Sequence, residues 1–82
     1  MGNVAVELKI MPESIETDII KIKEEISKKM KIQDSKIEPI AFGLKALKIL
    51  VIVPDKGNED LESKIKNIKG VSEVETESVT LV

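Results

Sequence analysis

The spacing of apolar residues changes period several times along this chain, and that succession is what most limits the folds open to it. Val4, Val6, Leu8 and Ile10 alternate with Ala5, Glu7 and Lys9, the two-residue period of a strand with one buried face. Met11-Pro12-Glu13-Ser14 interrupts the alternation, after which Ile15, Ile19, Ile22, Ile26 and Met30 recur at the spacing of one helix face. Ser14 or Thr17 is placed to cap that helix, Glu24 and Glu25 stand four residues before Lys28 and Lys29, and Lys28, Lys29 and Lys31 suit the negative end of its dipole.

From Lys36 the stretch Ile37-Glu38-Pro39-Ile40-Ala41 reads as extended, and Pro39, which lacks an N–H for the ladder, assigns it to a sheet edge. Leu47, Ile49, Val51 and Val53 line one face of the next strand. No spare residues separate the two, so they form a hairpin that reverses near Phe42-Gly43-Leu44-Lys45. Pro54-Asp55-Lys56-Gly57 closes the strand, and Asn58 caps a second helix with Glu59, Asp60 and Glu62 in its first turn and Leu61, Ile65 and Ile68 on one face. Gly70 stops it in the left-handed conformation, and Val71 to Val82 are extended again. Val79 and Leu81 fall on the opposite parity from Val74, which calls for a bulge near Ser78.

The order is therefore β-α-β-β-α-β in one domain over residues 1–82. With right-handed crossovers this gives an α+β, ferredoxin-like sandwich: a four-stranded antiparallel sheet with both helices on one face. The usual strand order of that fold, four-one-three-two, puts the second strand at an edge, where Pro39 independently places it. Leu50 and Ile52 sit on the open face of the third strand. Cover by neighbouring side chains accounts for them better than a partner surface does.

Composition removes most chemistry. The 82 residues contain no Cys and no His, and the 13 basic residues are all Lys. Thiolate and imidazole catalysis, Cys/His metal sites and bidentate guanidinium contacts to phosphate are all excluded. Gly43 and Gly57 are isolated, so there is no phosphate-cradling loop. Glu73, Glu75 and Glu77 read as a solvated strand face rather than a cation site, and Asp55 to Asp60 as a helix cap rather than a calcium loop. No metal, cofactor, catalytic set or tightly bound small molecule is expected. A net charge of −2 argues against a nucleic-acid partner. The longest apolar run, Ile49 to Val53, is far short of the roughly 20 residues of a membrane span, so a soluble cytoplasmic domain is expected. Phe42, the single aromatic, is read equally well as a core plug or as an interface anchor projecting from the turn.

Met11-Pro12-Glu13-Ser14 and, more specifically, Glu38-Pro39-Ile40-Ala41-Phe42-Gly43-Leu44-Lys45-Ala46-Leu47 resemble the archaeal translation elongation factor 1-beta family. The likeness runs the length of the chain and includes Met1-Gly2 and Gly70-Val71-Ser72. It implies a guanine nucleotide exchange factor that binds the GTPase elongation factor 1-alpha and speeds release of GDP, without covalent chemistry of its own. It further implies that Phe42 wedges against the GTPase, with Pro39, Ile40, Ala41, Gly43 and Lys45 shaping the contact, and that the tail residues Thr80, Leu81 and Val82 also meet the partner. The eukaryotic relatives use a lysine near the carboxyl terminus to disturb the magnesium and phosphate site, whereas this tail reads Ser78-Val79-Thr80-Leu81-Val82. Either the strand end then acts sterically or the hairpin with Lys45 carries more of the exchange. The competing reading is a small ferredoxin-like ligand-sensing or oligomerisation module that pairs through Leu50, Ile52 and a strand edge.

Overall fold

A computed structural model describes residues 2–41, 43–54 and 61–81. The elements are β1 (Asn3–Pro12), α1 (Ile19–Lys29), β2 (Ile32–Pro39), β3 (Lys45–Pro54), α2 (Leu61–Lys66) and β4 (Val71–Leu81). The strands form one sheet in the order β2-β3-β1-β4, every neighbouring pair antiparallel. This is the expected topology, with the Pro39-bearing strand at an edge.

Strand parity explains the layering. Val4, Val6, Leu8 and Ile10 of β1 stand opposite Val53, Val51, Ile49 and Leu47 of β3. These side chains share one face, and both helices cover it: Ile19, Ile22 and Ile26 from α1, and Leu61 and Ile65 from α2, followed by Ile68 and Val71. The buried core among the described residues is wholly apolar. Each fully buried Leu, Ile or Val contributes about 1.5–3 kcal/mol, which is how a chain this small folds on aliphatic packing. Leu50 and Ile52, on the other face, are half-buried; Leu50 lies beside Glu7, Asp34, Lys36 and Lys48.

Several boundaries differ from the sequence reading, each for a local reason. β1 continues through Met11 and Pro12, because there it pairs only with β4, beyond the last β3 partner at Ile10. A proline costs least where one side of the strand is already free. β2 begins at Ile32, earlier than the extended stretch expected from Lys36; the register shift between Ile32 and Asp34 leaves Gln33 unpaired and erases the alternation that would have revealed it.

The first helix is capped by Asp18, not by Ser14 or Thr17: the Asp18 carboxylate accepts from the backbone N–H groups of Ile20 (3.0 Å) and Lys21 (3.3 Å). The Ser14 and Thr17 side chains instead serve the preceding turn. Ile15 consequently lies outside the helix whose apolar stripe it was expected to begin. On the exposed side of α1, Glu25 pairs with Lys28 at 2.9 Å, three residues on rather than four, and that contact lowers the Glu25 pKa. The second helix is short, and its chain closes through a hydrogen bond from the Val71 N–H to the Ile68 carbonyl (3.2 Å) around Gly70, whose φ of 97° is the left-handed stop expected for it. Asn58, Glu59 and Asp60, to which the cap and first acidic turn were assigned, lie outside the described residues, as do Asp55, Lys56 and Gly57.

The bulge in β4 is present. Glu7 stands opposite Ser78 but Leu8 opposite Thr76, so Glu77 is the extra residue. Glu77 and Ser78 consequently reach the same open face, Glu77 to Lys48 at 3.1 Å and the Ser78 hydroxyl to the Glu7 carboxylate at 3.1 Å. Beyond the bulge, Val79 and Leu81 stand opposite Val6 and Val4, on the helix-bearing face.

Candidate functional site

The hairpin is closed by two backbone hydrogen bonds, from the Ile40 N–H to the Leu44 carbonyl and from the Leu44 N–H to the Ala41 carbonyl, both 2.9 Å. Gly43, at φ 80°, supplies the positive φ that a turn of this kind needs at its third position and that a side chain would oppose. Pro39, Ile40, Ala41, Gly43 and Lys45 are all exposed. Phe42, the residue on which most of the sequence argument rests, lies outside the described residues, as does Val82. Thr80 and Leu81 are exposed on β4, an edge strand.

The resemblance assigns both the hairpin and the tail to contacts with the partner, and the fold places the two far apart. The hairpin follows the end of the sheet where Ile10 meets Leu47, while Leu81 lies at the other end, opposite Val4. They are also on opposite edges, since β2 and β4 bound the sheet. In a molecule 42 Å long and 19 by 17 Å across, the two sets occupy diagonally opposed corners.

Sequence reasoning missed part of the apolar surface beside the hairpin. The large hydrophobic residues exposed among those described fall into two groups: Ile15 (65%), Ile20 (52%), Ile37 (43%) and Ile40 (38%) at the hairpin end, and Val79 (57%) and Leu81 (73%) at the tail end. A groove of about 320 Å³ runs between the hairpin and the segment before α1, with Ile15, Ile20, Ile37, Gly43 and Lys45 among its walls. Ile15 was hidden because its spacing fits the helical stripe, and only the position of the cap reveals that it stands outside.

Among the described residues the polar groups form no catalytic set. On the open face Lys48 links Glu38 (3.2 Å) on β2 with Glu77 (3.1 Å) on β4, and the hydrogen bonds, that to Glu77 first, raise its pKa. Thr76 donates to the Glu62 carboxylate, joining β4 to α2. Among the described residues no helix is long and apolar enough to cross a membrane.

The fold is shared with the ACT domain of a GTP pyrophosphokinase from Chlorobium tepidum, at a TM-score of 0.74 over 95% of this chain and 90% of that one, with 21% identity. Sequence relatives are more informative. An elongation factor 1-beta of Staphylothermus marinus is 44% identical over 86 aligned residues, covering 96% of each chain. One from Methanosphaerula palustris is 45% identical over 84, covering 99% of each. The family model of the EF-1 guanine nucleotide exchange domain matches residues 5–82, so the chain belongs to that family, and its function is guanine nucleotide exchange on elongation factor 1-alpha in translation elongation.

Proposed function

We propose that the chain performs this exchange by pressing the Pro39–Lys45 hairpin, with Phe42 at its turn, against elongation factor 1-alpha in the cytoplasm, while Thr80, Leu81 and Val82 meet a separate part of the same GTPase. The observation that carries this reading is the exposed, hydrogen-bonded hairpin flanked by apolar side chains, in a chain of the exchange family. No bond is made or broken by the factor. It needs only to bind the nucleotide-free or magnesium-perturbed GTPase more tightly than the GDP-bound one. Linkage is reciprocal, so GDP weakens binding of the factor by the same ratio as the factor weakens GDP. The factor thereby hastens equilibration without selecting GDP or GTP.

The separation of hairpin and tail limits the mechanism. With diagonally opposed contacts, at most one of the two lies beside the bound nucleotide. The tail brings no lysine, so its action there is steric; Lys45 is the cation nearest the hairpin turn.

The test is release of fluorescent GDP from the cognate elongation factor 1-alpha into excess unlabelled nucleotide, with and without catalytic amounts of the factor. Acceleration by the wild-type chain, lost in Phe42→Ala while the unfolding curve stays in place, is the expected result. No acceleration with both proteins folded removes the reading. A collapse of stability in Phe42→Ala, about 3–5 kcal/mol for a buried phenylalanine, makes Phe42 a core residue instead of an anchor.

A further inference from the structure

We infer that the turn before α1 is the second half of the GTPase-binding surface: Ile15 and Ile20, with Ile37 and Ile40, receive an apolar segment of elongation factor 1-alpha next to the hairpin. The inference rests on the exchange reading above and adds residues to it.

Ile15 occupies a position at odds with its chemistry. The Thr17 N–H donates to the Ser14 carbonyl (3.2 Å), making Ile15 and Glu16 the central residues of a tight turn. The Ser14 N–H bonds the Thr17 hydroxyl and the Glu16 N–H bonds the Ser14 hydroxyl, both at 3.2 Å, and the Glu13 N–H is anchored to the Gly70 carbonyl at 2.9 Å. Turn centres favour Gly, Pro, Asn, Asp and Ser. A β-branched aliphatic at an exposed apex contributes little to folding, and a local rule broken without structural gain is characteristic of functional positions.

The same bonds hold the backbone beneath Ile15 in place before any partner arrives, which reduces the ordering cost of association. Ile20, in the first turn of α1, is exposed although the stripe of that helix is already filled by Ile19, Ile22 and Ile26. Ile15 also reaches the hairpin itself: its Cγ2 lies 3.6 Å from where a Cβ on Gly43 would stand. The turn, the helix start and the hairpin thus make one continuous surface around the groove.

The occupant follows from that continuity. The first residue of β1, Asn3, and the last of β4, Leu81, lie at the far end of the sheet from the groove. A protein pressed against the exposed hairpin is in position to cover Ile15 at the same time.

The experiment uses the full chain and nucleotide-free elongation factor 1-alpha, with affinity measured by titration and exchange by release of fluorescent GDP. Ile15→Asp and Ile20→Asp are each expected to weaken binding roughly tenfold, as for interface anchors, while unfolding curves match wild type. Ile20→Asp is a sound variant for this purpose, because a carboxylate in the first helical turn is favourable. Amide hydrogen exchange of the wild-type complex supplies a second readout: slowed exchange over residues 14–20 supports the inference, and unchanged exchange there overturns it. If Phe42→Ala is defective but both Asp variants bind and exchange as wild type, the inference fails and the exchange reading stands. If wild type neither binds nor accelerates release, both fall. Concentration-dependent dimerisation of the factor alone, abolished by Ile15→Asp, assigns the surface to a second copy and also overturns the inference.

Discussion

The hairpin end and the tail end of the sheet both expose aliphatic side chains, and they do so in different ways. At the tail, Val79 and Leu81 have core parity, opposite the buried Val6 and Val4, yet they are exposed on an edge strand. At the hairpin end, Ile15 is exposed by a hydrogen-bonded turn that lifts it out of the helical stripe. Facing the helices is therefore not sufficient for burial, because a helix has to lie overhead. Conversely, residues at helical spacing share a fate only while they share the helix.

The largest expected effect breaks or confirms the second half of that comparison. Ile15 and Ile26 belong to the same apparent stripe in the sequence, but Ile26 is fully buried. In urea unfolding, Ile26→Ala is expected to cost about 2–5 kcal/mol and Ile15→Ala no more than about 0.5 kcal/mol. Equal costs mean that Ile15 packs into the core.

Asp18→Ala comes next. It removes the cap that fixes where α1 begins, with an expected loss of about 1 kcal/mol, whereas Ser14→Ala leaves the helix start capped and costs less.

The independence of the two ends is then open to a double-mutant cycle. For Phe42→Ala and Leu81→Asp, the coupling in GDP-release rate is expected to stay below about 0.5 kcal/mol, as for distant sites without shared partners. Strong coupling shows that the ends act on one element of the GTPase.

The smallest effect belongs to Lys48, midway along the sheet. Its pKa is raised by Glu77 and Glu38, so its contribution to stability is fully present below the ordinary lysine pKa and lost as pH rises through the raised value. The melting-temperature difference between wild type and Lys48→Met is therefore expected to be constant near neutrality and to shrink above about pH 10. A difference that persists at alkaline pH assigns the effect to packing of the lysine stem.

Much of the fold is legible in the sequence because strand parity and helix spacing are one-dimensional signals of burial. Pro39 marks an edge, Gly70 a helix stop, and the parity conflict at Ser78 a bulge, and all three are found in the structure. What escapes is whatever depends on competition between neighbours. Ser14, Thr17 and Asp18 are all good caps, and only the folded turn decides that the first two bond to each other while the third caps the helix. The polar opening of β2 carries no alternation, since Gln33 is skipped in the pairing. The hairpin is legible from the lack of spare residues between two extended stretches, and its role as a partner contact from the resemblance alone. Its distance from the tail is a property of strand order and register together, and the residues of either segment do not encode it alone.

The extra residue in β4 can be viewed as a frameshift in a two-letter code. From Glu73 to Thr76 the strand is written in one frame, and from Ser78 onward in the other. Removing Glu77 would close Ser78 up to Thr76 in plain alternation and leave Val79 and Leu81 opposite Val6 and Val4, on the side of the helices. The tail end would keep its chemical surface, and the open face would lose the carboxylate that pairs with Lys48. The extra letter is therefore a spacer: it lets Val74 and Val79, of opposite parity in the sequence, be read on the same face of the sheet.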